Sequence, residues 1–342
     1  MKGSTYEDAG VNIARGDAAS ADAFRQMQQT FDETVVVDTG LPAIQLIKAL
    51  RLPGRPRLHA TVDGVGTKLL YAAACGIHDT VGIDLVAMCV DDHARYNIYP
   101  ICFAAYRGTN TIDETVFSSV TKGVVEGCKR AGVPYIAGET AEMPGFYAGS
   151  HYELVGVSVG VYEEGALRHG QDTRLGDLLV ALPSFGGGSN GFSLMRHVFP
   201  PEKVAARESA VGPEEILKPA PIFTRPVLKA NRTYKTIRGW AHITGGGLGE
   251  RGKLASLLPS GFCARLDRKS WQVPPLFQKV QEAGSISDEE MFSTFNMGLM
   301  MIAPVQKRQA AQVVRFFESL GISAAVVGRV EEQTGVNKIE VV

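Results

Sequence analysis

The sequence predicts a mixed α/β protein with two domains, and three observations support this fold class. The chain has 342 residues, more than a single hydrophobic core usually supports. Hydrophobic residues make up 45% of it and charged residues 21%, close to globular averages, so a sizeable core is expected. Segments with strand-like and helix-like patterns also alternate in both halves of the chain, which is typical of α/β folds.

The N-terminal half combines predicted strands with predicted helices. β-branched and aromatic residues predict strands over Arg57–Val62, Ile98–Tyr106, Pro134–Ala137 and Tyr152–Val161. Apolar residues at helical spacing predict helices over Lys68–Cys75, Asp79–Tyr96 and Glu114–Ala131. Glycine is typical of a helix C-terminus, so Gly132 should end the third of these helices.

The C-terminal half shows a second alternation after a boundary region at residues 163–176. Strands are predicted over Leu178–Leu182, Trp240–Ile243, Gly298–Ile302 and Ser323–Val330. Helices are predicted to begin at Phe192, to follow Gly247 as far as about Leu258, and to cover Gln306–Leu320. The polar segment Glu202–Pro213 should be a surface excursion. We therefore assign one domain to residues 1–165 and a second to residues 166–342.

Charge and cysteine content exclude several classes of protein. The net charge of −1, with no long run of one sign, argues against nucleic acid or an anionic membrane as a partner. No apolar stretch reaches the roughly 18 residues that a membrane-spanning helix needs. Five scattered cysteines without a C-x-x-C pair favour reduced thiols over a zinc site or a disulfide framework. Met1–Arg15 lacks the apolar core of a signal peptide, so we expect a cytoplasmic protein acting on a small molecule.

The first candidate site is the loop Asp63-Gly64-Val65-Gly66-Thr67-Lys68. It combines a carboxylate, a hydroxyl and an ammonium with glycines that let the backbone approach a phosphate. The loop does not satisfy the G-x-x-x-x-G-K-[ST] pattern of a Walker motif. The alternative interpretation is an ordinary tight turn between a strand and a helix.

Two further groups of carboxylates could hold a metal–nucleotide complex. On the Asp79–Tyr96 helix, Asp84 and Asp91 point within about 20° of each other, and Asp92 lies about 80° from Asp84. Such a face suits Mg²⁺ with ATP phosphates, but it could equally be a solvated acidic face. The segment Gly138-Glu139-Thr140-Ala141-Glu142 places two carboxylates at a predicted strand end, where ligands of α/β folds often bind.

Two glycine-rich loops in the C-terminal half are candidate phosphate cradles. Gly187–Gly191 has the G-x-S-x-G pattern of a hydrolase nucleophile elbow, but that elbow must follow a strand directly, and four residues intervene here. A loop whose backbone amides and Ser189 and Asn190 side chains contact a phosphate accounts better for its composition. The second loop, Thr244–Gly249, follows His242. That histidine is either structural or a donor to developing negative charge.

Taken in order, these segments resemble the aminoimidazole ribonucleotide synthetases, the ring-closing ligases of purine biosynthesis. The matching segments are Tyr6–Val11, Asp63–Lys68, Gly82–Val90, Ala137–Gly145, Ser189–Gly191, His242–Gly247 and Glu290–Gly298. They extend over nearly the whole chain. The resemblance implies two α/β domains, with N-terminal sheets that pair in a homodimer, and it implies ATP and Mg²⁺ as cofactors.

The resemblance also implies a reaction and a set of site residues. ATP would activate the formyl-amide oxygen of formylglycinamidine ribonucleotide, and ring closure would give aminoimidazole ribonucleotide, ADP and phosphate. The implied metal ligands are Asp63, Asp92 and Glu139. The implied nucleotide contacts are Asp63, Gly64, Gly66, Thr67, Asp92, Gly138 and Glu139. The implied substrate or phosphate contacts are Ser189, Asn190, Gly191, Thr244, Gly245, Gly246 and Gly247. The catalytic candidates are His242, which would stabilise charge, Asp92, and Lys68 near the phosphates.

The chain departs from the family pattern at several of the expected site positions. Gly188 replaces a histidine, Val90–His93 replaces Val-Asn-Asp-Leu, and Asn97–Pro100 replaces Gly-Ala-x-Pro. Phe24-Arg25 stands where a lysine near ATP is expected, and Val35–Gly40 stands in place of a glycine-rich stretch. Two alternatives therefore stay open: a diverged relative that uses ATP to activate another amide or a phosphate acceptor, or a catalytically weak nucleotide-binding homologue.

Overall fold

The structure, a computed structural model, describes residues 13–38, 41–45 and 56–342. The Tyr6–Val11 motif lies outside these residues. The described part of the chain forms a short hairpin, a four-stranded sheet and a six-stranded sheet, with helices packed against them. Within it, no helix is long and apolar enough to cross a membrane. All five cysteines are free thiols, as expected.

The elements of the N-terminal half match most of the predicted ones. The helices are α1 (Ile13–Met27), α2 (Lys68–Cys75), α3 (Asp79–Ala94) and α4 (Glu114–Ala131). The strands are β1 (Val35–Asp38), β2 (Leu41–Ile44), β3 (Pro56–Gly64), β4 (Tyr99–Thr109), β5 (Tyr135–Glu142) and β6 (Tyr152–Glu163). One strand is longer than predicted: β5 continues past Ala137 through Gly138–Glu142 beside the long parallel strand β4, and Glu142 is its last residue.

Strands β3, β6, β4 and β5 lie side by side in that order, and α3 and α4 cover one face of the sheet. Asp113 caps α4 by accepting hydrogen bonds from the backbone amides of Thr115 and Val116, and Gly132 ends it in the left-handed conformation. Glycines at the crossing of α3 and α4 let the two backbones touch, since a Cβ at Gly123 would overlap the carbonyl of Asp79. This close crossing holds α3 tightly against the sheet.

The other face of this sheet is open and apolar. One row of apolar residues crosses this face in register. It consists of Val62 of β3, Val157 of β6, Ala104 of β4 and Ala137 of β5. On the edge strand β3, the Leu58 side chain is 68% exposed and that of Val62 is 66% exposed. A contiguous apolar sheet face of this kind is typical of an interaction surface.

The C-terminal half is built around the six-stranded sheet, whose order is β12-β9-β11-β7-β10-β8. Its strands are β7 (Leu178–Pro183), β8 (Ala241–His242), β9 (Phe262–Leu266), β10 (Leu299–Val305), β11 (Ala325–Glu332) and β12 (Ile339–Val341). Its helices are α5 (Phe192–Val198), α6 (Pro201–Ala205), α7 (Pro213–Ile216), α8 (Thr224–Thr233), α9 (Pro275–Gly284), α10 (Asp288–Thr294) and α11 (Lys307–Glu318). No strand of either sheet crosses residues 164–177, which contain most of the predicted boundary region.

Two predictions for the C-terminal half were wrong. The residues after Gly247 form successive turns and one short 3₁₀ turn, Ala255–Leu257, instead of a helix. Gly247 has a positive φ and packs against the backbone carbonyls of the 292–295 segment, so the chain cannot coil there. The Glu202–Pro213 excursion is also only partly on the surface, because Val204 and Val211 are buried in the core.

Helix α3 joins the two halves. One side of it lies on the N-terminal sheet, and the other contacts α8. Ala87 and Met88 belong to the same apolar cluster as Trp240 and Val180 of the C-terminal half. Nearly every residue of α3 is therefore buried, and its polar side chains need partners from the C-terminal half.

Candidate active site

Asp84 of α3 is a buried anchor that does not face a ligand site. Its carboxylate lies 2.6 Å from the Lys68 ammonium, and both side chains are completely buried. Oδ1 of Asp84 accepts a hydrogen bond from the backbone amide of Ala220 at 2.7 Å. The Lys68 ammonium also donates to the carbonyls of Gly188 (2.9 Å) and Lys218 (3.0 Å). An ammonium has three protons, so these three contacts leave Lys68 no proton to donate to a ligand.

The position of Lys68 therefore does not fit its predicted role. We expected it to contact phosphates, but the structure places it inside the protein, where it ties the 63–68 loop to the glycine loop at Gly188. A hydrated ammonium is rarely buried without such partners. Lys68 therefore positions the 186–191 loop.

Asp91 is a second buried anchor on the same face of α3. Its carboxylate accepts the backbone amide of Phe223 (2.9 and 3.1 Å) and the hydroxyl of Thr224 (2.5 Å). Burial raises the pKa of Asp91, while these donors and the charge of His242 oppose the rise. Asp84 and Asp91 share a face, as the helical spacing predicted, but that face is neither solvated nor open to Mg²⁺. It binds the C-terminal domain.

Asp92 is the carboxylate of this row that remains partly open, with 23% of its side chain exposed. Oδ1 accepts a hydrogen bond from His242 Nδ1 at 2.9 Å, and Lys253 Nζ contacts Oδ1 at 2.6 Å and Oδ2 at 2.8 Å. Arg95 Nε lies 3.9 Å from Oδ1. Burial alone would raise the pKa of Asp92, but His242 and Lys253 hold it well below its usual range. Asp92 is therefore a carboxylate at neutral pH.

His242 is held by this carboxylate in one tautomer. The side chain is completely buried, and strand β8 fixes it by pairing with Met301 of β10. Because an ionised carboxylate only accepts hydrogen bonds, Nδ1 must carry the proton. Nε2 has no hydrogen-bond partner among the described residues. A buried nitrogen without a partner is costly, which is typical of a group that a ligand completes.

Asp63, at the end of β3, lies beside this cluster. Its Oδ1 accepts the backbone amide of Gly64 at 2.8 Å. Burial raises the pKa of Asp63; the Gly64 amide opposes this, and the negative charge of Asp92 raises it further. Two neighbouring carboxylates fit Mg²⁺, which takes one or two carboxylates together with nucleotide phosphates. No group of three or more His, Cys, Asp or Glu side chains in the described residues could hold a metal by itself.

Within one chain, Glu139 lies apart from Asp63 and Asp92. One row of register partners crosses the sheet from Asp63 through Gly156 and Ala105 to Gly138. Three strand spacings, about 14 Å in all, therefore separate Asp63 from Gly138. Glu139 follows Gly138 and therefore points to the opposite, open face of the sheet. The predicted set of three metal ligands is thus divided between two faces.

The two glycine-rich loops meet beside α3. Asn190 Nδ2 lies 3.8 Å from the sulfur of Met88, one helical turn before Asp92. A Cβ at Gly245 would lie 3.7 Å from Asn190 Oδ1, so the 186–191 and 244–247 loops are adjacent. Thr67 and Ser193 hydroxyls are 3.2 Å apart, which adds the 63–68 loop to the group.

The arrangement does not support a serine hydrolase. Strand β7 ends at Pro183, so Ser189 does not sit on a turn directly after a strand. The Ser189 hydroxyl is buried without a hydrogen-bond partner in the described part of the chain, and His242 is bonded to Asp92. No serine–histidine pair is therefore formed at this loop.

Two cations of the site were not predicted from the sequence. Lys253 approaches Asp92 from 161 residues away, through turns that we had assigned to a helix. Arg95 lies three residues after Asp92, a spacing that places two helical side chains together and could have indicated this pair.

The structure explains two of the departures from the family pattern. Asn97 has a φ of 67°, the left-handed conformation that Asn tolerates best after Gly, so it can replace the family's glycine. His93 is buried against the ring of His59. Burial and, to a smaller extent, the charge of His59 lower the pKa of His93 to about 4. Gly160 makes room for its ring, because a Cβ there would overlap it. In the Val35–Gly40 segment, residues 39 and 40 lie outside the described residues.

Comparison with known proteins agrees with the resemblance found in the sequence. The model of the AIR synthase related protein N-terminal domain matches residues 45–162, and that of the C-terminal domain matches residues 174–339. The phosphoribosylformylglycinamidine cyclo-ligase of Alkaliphilus metalliredigens is 38% identical over 330 residues, 95% of this chain and 94% of that protein. The one of Sorangium cellulosum is 41% identical over 337 residues, 95% of each chain.

Solved structures of more distant proteins have the same fold. Thiamine-monophosphate kinase from Stenotrophomonas maltophilia matches with a TM-score of 0.65 at 14% identity, over 95% of this chain and 94% of that one. The hydrogenase maturation protein HypE matches in a complex with ATP, with a TM-score of 0.65 at 14% identity, over 92% and 88% of the chains. The two-domain α/β fold is thereby confirmed. Together with the family models and the curated relatives, it shows that the chain belongs to the AIR synthase family.

Proposed function

We propose that the chain is an ATP-dependent cyclo-ligase of the cytoplasm that converts formylglycinamidine ribonucleotide to aminoimidazole ribonucleotide, ADP and phosphate. The identity of about 38–41% to cyclo-ligases over 95% of the chain supports the reaction. The observation that carries the proposal in the structure is the cluster of Asp92, His242 and Lys253, where both glycine loops meet the N-terminal domain.

The chemistry proceeds in two balanced steps. The formyl-amide oxygen attacks the γ-phosphorus of ATP, the bond from that phosphorus to the ADP oxygen breaks, and an iminophosphate forms as the amide N–H proton leaves to solvent. The neighbouring nitrogen then attacks the iminophosphate carbon and loses its own proton, and the carbon–oxygen bond breaks as phosphate leaves, which closes the ring. Transfer of a phosphoryl group depends mainly on positioning and on stabilisation of charge.

The residues of the cluster fit these requirements. Asp63 and Asp92 would hold Mg²⁺ together with nucleotide phosphates, and the metal would neutralise charge on the transferred group. His242 keeps Nε2 unpartnered, so in its protonated form this nitrogen can donate to an oxygen on which charge develops. Ser189, with its buried unpartnered hydroxyl, and Asn190 would orient the substrate beside the 244–247 loop.

The reaction itself is the first test. With ATP, Mg²⁺ and formylglycinamidine ribonucleotide, the purified protein should release ADP and form the imidazole product, each measured by chromatography. Omission of the ribonucleotide is the control. ADP release with another amide but not with this ribonucleotide would reject the proposed substrate, and no ADP release with any acceptor would reject the ligase activity.

We also propose a homodimer formed through the open sheet face. The row of valine and alanine side chains across the strands and the exposed Leu58 and Val62 support this assembly. Glu139 points to the same face, so its role as a metal or nucleotide ligand depends on the dimer. This would account for its separation from Asp63 and Asp92 within one chain.

The double variant Leu58→Lys/Val62→Lys should be monomeric at micromolar concentration, whereas the unaltered protein should sediment as a dimer. Two charges placed within an apolar interface would lose their hydration without gaining partners. Analytical ultracentrifugation measures the difference. Val336→Lys, at a site that is 92% exposed, is the matched control and should leave the dimer intact. A dimeric double variant would reject this interface.

A further inference from the structure

Three aspartates of α3, Asp84, Asp91 and Asp92, differ in how firmly their contacts hold them. Asp84 is completely buried with Lys68, and Asp91 is buried on backbone and hydroxyl donors. Breaking such a contact leaves a buried charge without a partner and without water. The contact between Asp92 and Lys253 is different, because each side chain is 23% exposed. It is the ionic contact of this row that solvent reaches, so Asp92 and Lys253 can separate without leaving either charge fully buried.

Lys253 occupies the place that a metal would take on Asp92. Its single ammonium contacts both carboxylate oxygens, at 2.6 and 2.8 Å, as a bidentate cation would. Arg95 Nε lies 3.9 Å from Oδ1, and His242 uses the same oxygen. Asp92 is therefore already neutralised by side chains of the protein, and Mg²⁺ cannot reach both of its oxygens unless Lys253 moves away.

We propose that Lys253 is an exchangeable counter-cation: its ammonium neutralises Asp92 until Mg–ATP binds and then moves to the γ-phosphoryl group. This inference rests on the proposed function, since it assumes that Asp92 is a metal ligand. Every charge keeps a partner during this exchange. The metal replaces the ammonium beside Asp92, and the ammonium pairs with the phosphoryl oxygens. A released lysine beside a transferred phosphoryl group also stabilises the charge that develops on it.

The Lys253 side chain makes this movement feasible. The turns before it are held by backbone hydrogen bonds, such as that from the Gly252 amide to the Gly249 carbonyl, so the side chain moves and the backbone stays. The lysine side chain is a flexible four-carbon stem with a compact charge, whereas an arginine would hold a carboxylate in a fixed bidentate geometry. Lys253 can thus change partners without any displacement of strand β8 and His242.

The test compares Lys253→Met with the unaltered protein, with Lys235→Met as the matched control on an exposed lysine that takes no part in the site. Binding of Mn²⁺–ADP is measured by calorimetry, turnover by ADP release, and folding by the thermal midpoint. In Lys253→Met, Mn²⁺–ADP should bind up to about fivefold more tightly, because the competing ammonium is gone and ADP lacks the γ-phosphoryl group that the ammonium would contact. Turnover should fall roughly 10²-fold, since the phosphoryl group loses a cation.

Opposite changes in metal affinity and turnover would not arise if Lys253 merely held Asp92 in place. Weaker or unchanged Mn²⁺–ADP binding in Lys253→Met, with a normal thermal midpoint, would overturn the inference. Asp92→Asn tests the metal site separately from the movement of Lys253. If Asp92→Asn binds Mn²⁺–ADP as tightly as the unaltered protein, Asp92 is not a metal ligand, and the metal site of the proposed function fails with it.

Discussion

Asp92→Asn should reduce turnover with Mg–ATP by roughly 10²- to 10³-fold, the usual effect of losing one group that stabilises transition-state charge. The amide has the same shape and can still accept a hydrogen bond from His242 Nδ1, which lies 2.9 Å from Oδ1. It lacks the negative charge that would bind the metal. The fold should therefore survive while catalysis is lost. Steady-state ADP release measures the first property, and circular dichroism measures the second.

The control for this variant is Asp172→Asn, an exposed aspartate in the segment between the two sheets. It changes the net charge by the same amount and should leave turnover within experimental error of the unaltered protein. Unchanged turnover in Asp92→Asn would refute the assignment of Asp92 to the metal and the catalytic group.

Lys68→Met should lower the thermal midpoint by on the order of 10 °C. The substitution leaves the completely buried carboxylate of Asp84 without its counter-ion, and breaking a buried pair costs about 3–5 kcal/mol. Each kcal/mol corresponds to about 2–4 °C for domains of 150–250 residues. The carbonyls of Gly188 and Lys218 lose a donor as well, so the substrate loop should loosen. Calorimetry measures the midpoint.

The double variant Lys68→Met/Asp84→Asn should recover part of this loss, because the uncompensated charge is removed and the Ala220 amide keeps an acceptor. Arg130→Met breaks a surface pair with Glu126 whose side chains are about half exposed, and it should change the midpoint little. A Lys68→Met protein with a normal midpoint but weakened ATP binding would show instead that Lys68 contacts phosphate.

Local patterns were enough to predict most elements of the N-terminal domain. Helix α4 begins after Asp113 and ends before Gly132 because capping depends on residues next to one another. The turns after Gly247 were predicted wrongly, since the packing of that glycine against the 292–295 backbone decides their shape. Periodicity describes one segment, and it does not report which distant segment lies opposite.

The sequence by itself determined the α/β class, the positions of the glycine loops and carboxylates, and the family. Only the tertiary structure decided what each carboxylate does. Helical spacing placed Asp84 and Asp91 on one face of α3 and Asp92 on its flank, but burial against the C-terminal domain makes the first two anchors and leaves the third accessible. The partners that set these roles, Lys253 above all, come from up to 161 residues away. A carboxylate's chemistry depends on the charges and solvent around it, and folding alone brings those together.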